Sequence, residues 1–418
     1  MRISTAGKGA LLAASAVLML PAPASAVLAT TTTVDEFSDP GPGAGCSLRE
    51  AVEAANTDGV FGGCDAGSDA GDEGIFLADG DYVLTRDGVD DNNSAGDLDI
   101  QNESVGLNNF GGPVTIRGDL DMVNDDRVID VRPSAPFFVL LAVTVRDGRA
   151  TGSGGGIQTA APTGASYIIA STITGNQATT HGGGLEIAGG GTIQIRNSTF
   201  SGNVAGGDAG GIDQSGGGIA VLTNTTITNN TADSDSIGGH RGGGIVSFIS
   251  TDTRLRNSIV AGNFDLTTAA GSFAPDCYEY PGGVLTSSTH NLIGDTTGCE
   301  GISAGTGDIR NANPLLAPLA LNRPGNIRAT ETHALLAGSP ARDAGDSATC
   351  ETDDQTDVMR PLGPVCDIGA FEADPIPAAA VTPTVLPPAT TPVAPRKKKC
   401  KRKRKKPAAA KKCRRKKR

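Results

Sequence analysis

Lysine is missing from the body of this 418-residue chain, with none between Lys8 and Lys397. Chemistry that needs a catalytic lysine there, such as a Schiff base or a Walker-type phosphate lysine, is excluded. Tryptophan is absent and aromatic residues make up only 4%. A core of large rings is therefore excluded, and platforms for stacking sugars are scarce. The eight cysteines contain no C-x-x-C pair, which disfavours a zinc ribbon or a thioredoxin-type redox site. No run of 18 apolar residues occurs, so no transmembrane segment is expected in the mature chain.

The formal charge of −11 averages three unlike segments. Residues 1–26 carry Arg2 and Lys8 and no acid, and the final 23 residues from Arg396 carry 17 basic groups and no acid. The body between them sets 16 arginines against 46 acids, a net −30. The first segment reads as an export signal: an apolar stretch from Ala10 to Leu20, Pro21, then Ala24-Ser25-Ala26 as the cleavage site. Export makes disulfides the expected use of cysteine. Cys46 with Cys64, Cys277 with Cys299 and Cys350 with Cys366 are separated by 18, 22 and 16 residues, suited to local bridges. Cys400 and Cys413 lie in the basic tail.

What is present in excess is glycine, at 58 residues, and it recurs. Gly154-Gly-Gly-Ile157, Gly182-Gly-Gly-Leu185, Gly210-Gly-Ile212 and Gly242-Gly-Gly-Ile245 each precede, by 18 or 19 residues, an asparagine that closes a strand-like segment. These are Asn176, Asn203, Asn230 and Asn263, advancing by 27, 27 and 33 while the aliphatic positions advance by 28, 27 and 33. So much glycine and β-branched residue forbids helical repeats. The spacing predicts an all-β fold, a parallel β-helix whose coils stack aliphatic residues inward and line the four asparagines up as a ladder. Residues 105–340 leave room for about nine coils. A β-propeller, the competing repeat, needs longer blades and aromatic signatures.

An open solenoid end must be covered. Residues 27–104 read as that cap: Ser47-Leu-Arg-Glu50 is a capping box opening a short amphipathic helix over Ser47–Asn56, and Ile75-Phe-Leu77 and Tyr82-Val-Leu84 read as the first strands. Residues 341–372 form a C-terminal module, 373–395 a Pro-rich linker and 396–418 a disordered basic tail.

These residues carry a family resemblance. Cys46-Ser-Leu-Arg-Glu-Ala-Val-Glu-Ala-Ala-Asn56 resembles the CSLREA motif of exported bacterial β-helix proteins, and the GG-aliphatic and Phe/Ile/Val-x-x-Asn coils resemble those of chlamydial polymorphic outer-membrane proteins. Asp276-Cys277 through Asn291-Leu-Ile-Gly294, with Ser339-Pro-Ala341 to Cys366-Asp-Ile-Gly-Ala-Phe-Glu372, resembles the module called choice-of-anchor Q, which precedes variable surface anchors. The resemblance implies a secreted or surface-held right-handed parallel β-helix, a pectin-lyase-like solenoid, and names no substrate. Where such proteins often read Asp-Gln-Arg-Gly, this chain has Asp354-Gln-Thr-Asp357.

Catalytic residues are not assigned. Hydrolysis needs two carboxylates in one groove, and Asp87, Asp90, Asp91, Asp97, Asp99, Asp119, Asp121, Asp125 and Asp126 offer candidates in numbers that 46 acids produce by chance. His181, His240, His290 and His333 show neither H-E-x-x-H nor any paired spacing, and the two that flank glycine corners read as hydrogen-bonded turn residues. Gly301-Ile-Ser-Ala-Gly305 matches G-x-S-x-G without the strand-to-helix elbow that gives it meaning. No cofactor is expected; the one candidate ion is a structural Ca²⁺ on the acidic loop Asp87–Asn93, which lacks EF-hand spacing. The tail residues Lys397, Lys398, Lys399, Lys401, Arg402, Lys403, Arg404, Lys405 and Lys406 point to a polyanion, and export makes it an anionic envelope polymer or glycan rather than nucleic acid. The resulting expectation is a secreted or cell-surface scaffold, adhesion or glycan-binding protein; the alternative is a polysaccharide lyase or glycoside hydrolase acting on acidic glycans.

Overall fold

In the computed structural model the described residues run from 30 to 376, excepting 35–36, 40–44, 68–71, 121–125, 162, 269–272, 300–301 and 303–304. The export signal, most of the linker, the basic tail, Cys400 and Cys413, and parts of the Gly301–Gly305 motif lie outside them.

One coil shows how sequence becomes shape. Thr192–Arg196, Thr199–Ser201, Val204–Ala205 and Ile212–Gln214 are four short strands, each bending into the next. Their equivalents in other coils pair with them in parallel and build four sheets, called I to IV in that order, of nine, nine, five and seven strands among the described residues. In sheet I the alternation of Thr192–Arg196 points Ile193 and Ile195 inward. In sheet II the register stacks Val145, Ile173, Phe200, Ile227, Val260 and Ile293 in one buried column. Each such side chain contributes about 1.5–3 kcal/mol by leaving water, which is how a chain without tryptophan builds a core.

The fold is thus the expected all-β parallel β-helix, with seven strands in sheet IV rather than about nine coils. The coils begin earlier than the repeat spacing indicates, at Asp72–Phe76, and the last paired strand is Ile309–Arg310. Residues beyond it do a different job. Thr330 Oγ1 donates to Ala170 O at 2.9 Å, and Gln355 bonds to both Thr172 and Thr199. Asn257, Asn224 and Asn197, stacked in left-handed turns between sheets I and II, meet Asp346, Glu351 and Asp353 respectively. The C-terminal segment therefore straps successive coils together along this corner. A buried Arg360–Glu372 pair at 2.8 Å and the Cys350–Cys366 disulfide hold the strap in shape.

At the other end, helix α1 (Leu48–Thr57) starts on Ser47, whose hydroxyl and the Glu50 carboxylate complete a capping box. Asn56 closes the edge of strand Leu98–Ile100 by donating to Asp99 O and accepting from Gln101 N. Arg49, only 1% exposed, faces inward, where it pairs with Asp39 at 3.0 Å and donates to the carbonyls of Ala95, Asp97 and Gly96. Disulfides Cys46–Cys64 and Cys277–Cys299 pin the cap and the last full coil. Each local loop closure is worth about 3 kcal/mol, and three of them fit an oxidising compartment. No helix among the described residues is long and apolar enough to cross a membrane.

Candidate functional site

Two groups of titratable side chains collect on the outside of the coils. The first sits beside the cap and includes several of the acids singled out from sequence. Asp97, Asp99 and Asp126 come together with Asp130, all buried. Burial holds Asp97 well above the ordinary range, helped by the charges of Asp126 and Asp99, and pushes Asp99 up to about 7. Arg127 bridges Asp97 and Asp130, and Arg132 bridges Asp91 and Asp130 at 2.8 and 2.6 Å. Carboxylate oxygens of Asp91, Asp99 and Asp130 lie within 4.8 Å of one another, close enough for a hard cation, but Arg132 already serves two of them. Asp90 spends its oxygens on Asn92 and Ser94 of its own loop. Asp87 is exposed and Asp119 half-buried, while Asp121 and Asp125 lie outside the described residues. The arrangement is one of partial charge neutralisation under the cap: Asp97, Asp99, Asp126 and Asp130 are buried, and the exposed Asp91 is already held by Arg132.

The second group is built on the outer face of sheet IV. Within each of its three-residue strands the middle side chain points outward, and the register Gln158, Glu186, Asp213, Val246, Tyr278 brings two acids side by side. Asp213 is 0% exposed, and its carboxyl lies within hydrogen-bond reach of the Glu186 carboxylate. Burial, then the neighbouring Glu186 charge, holds its carboxyl well above the ordinary range, so Asp213 favours its protonated form. Ser215 donates to Glu186. The stacked rings of Phe248 and Tyr280, with centroids 4.4 Å apart, lie on the same face, and Phe248 also meets His181 edge-on at 6.0 Å.

Just before these strands the chain makes its glycine turns. The residue four positions ahead of each strand is Ser153, His181, Asp208 and Arg241 in successive coils, so the coil step of 27 sets Asp208 directly on His181. Asp208 is buried; its Oδ1 accepts from Arg241 N at 2.6 Å and its Oδ2 from the Tyr280 hydroxyl at 3.1 Å. His240, from the 33-residue coil, reaches the same carboxylate at 3.4 Å. Arg241 stacks on the Tyr278 ring at 4.4 Å. Sequence reasoning treated the histidines singly and missed this convergence. The signal was available, since 27 and 33 residues carry position 181 to 241, one residue past His240. The other two histidines are turn and seam residues: His290 bonds Thr289, and His333 joins Ser201 to Ala317 O.

The loop that supplies His240 also walls a groove over sheet III. This groove has a volume of about 430 Å³ and is lined by Arg149, Thr151, Gln177, Thr179, Val204 and Asp235, among others. Its floor repeats at the strand spacing, about 4.8 Å per coil, through Arg149, Gln177 and Val204.

Inside the coils, Asn176, Asn203, Asn230 and Asn263 form an unbroken chain of side-chain hydrogen bonds at 2.9–3.0 Å that ends on Asp276. They are buried and structural. The lysines and arginines of the basic tail lie outside the described residues.

Comparison with known proteins gives three findings. The family model described as "Right handed beta helix region" matches residues 155–297. A solved structure, "Crystal structure of pectate lyase Pel9A", is similar with a TM-score of 0.40 at 15% identity, covering 74% of this chain and 92% of that one. No curated protein matches the chain in sequence.

Proposed function

We propose that the protein is a surface-associated β-helix that binds glycan without turning it over, and that its basic tail holds it to anionic envelope polymer. The observation carrying the first part is the groove over sheet III. Its volume of about 430 Å³ is that of a ligand site, and its amide, hydroxyl, guanidinium and carboxylate groups match the donors and acceptors of sugar hydroxyls. A linear polymer laid along the solenoid axis meets equivalent positions at every coil. The body's charge of −30 repels acidic chains, which favours a neutral glycan in the groove and leaves the polyanion to the 17 basic groups of the tail.

The alternative of a lyase or hydrolase draws on the Glu186 and Asp213 pair, because a protonated carboxyl beside a second carboxylate is half of a hydrolytic device. Asp213 has no exposed surface, and an acid that cannot touch the glycosidic oxygen cannot protonate it. Binding is therefore the better reading.

The test uses the untagged full chain on an array of neutral and acidic glycans. Saturable binding to a neutral glycan is expected, without new reducing ends or unsaturated products. Gln177→Ala, at an exposed position, removes one hydrogen bond worth about 0.5–1.5 kcal/mol, a two- to tenfold loss. No glycan binding, or turnover abolished by Asp213→Asn, overturns the proposal. Deleting residues 396–418 should release the protein from purified envelopes and leave glycan affinity unchanged; equal retention at low and high salt refutes the tether.

A further inference from the structure

We infer that His181, Asp208 and His240 form a binding site for a divalent transition metal of the zinc class. The geometry carries this. Ligand atoms bound tetrahedrally at about 2.0–2.1 Å from one ion stand about 3.4 Å from each other. Asp208 Oδ2 lies 3.6 Å from His181 Nδ1 and 3.4 Å from His240 Nδ1, and all three ligand atoms fall within 4.8 Å of one another. A small inward movement of the two rings therefore completes three corners of a tetrahedron. His181 already presents a lone pair: its Nδ1 accepts from Asp208 N at 3.0 Å, which places the proton on Nε2 and leaves the neutral imidazole that a metal requires. Binding would exchange that one backbone hydrogen bond for the ion.

A second observation points the same way. Beside the triad, the fully buried carboxyl of Asp213 lies against that of Glu186, and the buried Asp208 carboxylate is near enough to act on it. A dication at Asp208 would offset the negative charge of this group. Two imidazoles with one carboxylate select Zn²⁺ or its neighbours over Ca²⁺ and Mg²⁺, which take all-oxygen shells. Asp208 is oriented for the task by the Tyr280 hydroxyl and Arg241 N. Space for the His181 ring is kept by Gly207, where a Cβ would come within 2.8 Å of Nδ1. Because His240 belongs to the loop that walls the groove, the ion would fasten that loop to the coils. The site stands independently of whether the groove takes glycan.

The experiment titrates Co²⁺, then Zn²⁺, into the untagged, chelator-stripped full chain and follows visible Co²⁺ absorption and calorimetry, with no glycan present. One saturable equivalent is expected, with Zn²⁺ displacing Co²⁺ and Ca²⁺ failing to compete. His181→Ala and His240→Ala should each weaken binding at least about tenfold, while His290→Ala, a turn histidine elsewhere, leaves it unchanged. Far-UV circular dichroism and melting of each metal-free variant separate lost ligation from lost folding, and His240→Gln serves if His240→Ala does not fold. Absence of saturable binding overturns the inference, as does affinity that survives both histidine substitutions or falls equally with His290→Ala. A variant lacking residues 396–418 must bind as the full chain does; loss of the equivalent there would move the site to Cys400 and Cys413 and overturn it as well.

Discussion

Replacing Asn203 tests whether the asparagine ladder holds the solenoid together. Asn203 is fully buried and makes four side-chain hydrogen bonds. Its Oδ1 accepts from Asn176 N at 3.1 Å and Asn176 Nδ2 at 3.0 Å, and its Nδ2 donates to Ile173 O at 3.0 Å and Asn230 Oδ1 at 2.9 Å. Asn203→Ala strips a partner from two donors of Asn176 and from Ile173 O, whereas Asn230 Oδ1 keeps the Asn203 backbone N–H. At about 1–3 kcal/mol for each buried group left unmet, the loss should be roughly 3–6 kcal/mol, a large share of the 5–15 kcal/mol that typically separates folded from unfolded chains. Asn203→Asp is nearly isosteric and separates the two halves of the interaction. It keeps both acceptances, forfeits both donations, and sets a carboxylate against Ile173 O and Asn230 Oδ1. At pH 8 it should cost about 2–4 kcal/mol, and part of that should return on acidification, because a protonated carboxyl regains one donor. Urea unfolding followed by far-UV circular dichroism reads both variants. An alanine variant within about 1 kcal/mol of the parent, or an aspartate variant whose deficit is the same at pH 8 and pH 5, would refute this account of the ladder.

Two further outcomes follow from buried carboxyls. Asp99 and Asp367 have folded values of about 7 and about 6, both raised chiefly by burial, against about 3.9 unfolded. The folded chain therefore binds protons that the unfolded one does not, and stability should rise as pH falls through 7 and 6. Buried His333 is shifted the other way and subtracts stability below about 6.5, so the gain should flatten at more acid pH; a urea midpoint that only declines from pH 8 to 6 would contradict the first part. The second outcome concerns Asp276, which accepts on both oxygens, from Asn263 N and Nδ2 and from Asp295 N. Asp276→Asn turns a donor toward a donor and should cost about 1–3 kcal/mol, measured by the same unfolding assay; a stabilised variant would show that charge burial outweighs acceptor geometry there.

The fold was legible because its inward columns recur at fixed steps in sequence: Ile157, Leu185, Ile212 and Ile245 stack in sheet IV as their spacing requires. Much else was hidden. Arg49 looks like a surface residue of an amphipathic helix, and only the loop of Ala95 to Asp97 arriving from the first coil explains its burial. The hydroxyls of Ser171, Ser198, Thr225 and Ser258 form a partial ladder at the same steps as the asparagines, those of Ser171, Ser198 and Ser258 accepting from the backbone N–H of Val143, Ser171 and Thr225, yet serine and threonine are too common among strands to stand out. The C-terminal strap gave no repeat to follow, since its partners are turn asparagines 89, 127 and 156 residues earlier. Asp357 occupies a left-handed turn, φ 65°, where glycine is the ordinary choice; nothing in the structure explains the aspartate there. The His181 and His240 convergence needed the unequal step of 33 residues to be carried through, because two coils, not one, separate them.

The end of the ladder shows why repeat and exception belong to one mechanism. The residue immediately before each sheet IV strand is Gly156, Gly184, Gly211 and Gly244, and a Cβ there would press on the amide of Asn176, Asn203, Asn230 and Asn263 respectively, at 2.7–3.1 Å. Glycine and asparagine therefore march together because each coil's asparagine occupies the space that the preceding glycine leaves empty. In the final full coil the equivalent residue is Asp276, paired in register with Gly244. Its carboxylate supplies the acceptor that the next asparagine would have presented to Asn263. The hydroxyl ladder closes in the same way, passing through Asn291 to Asp308, whose oxygens accept from Asn291 N and Gly305 N. An interior rung must both accept and donate, which asparagine can do; a terminal rung has donors on one side only, and an acceptor-only side chain satisfies it. The aspartates thus mark where the coils stop, and the chain beyond them runs back along the corner between sheets I and II without adding a rung.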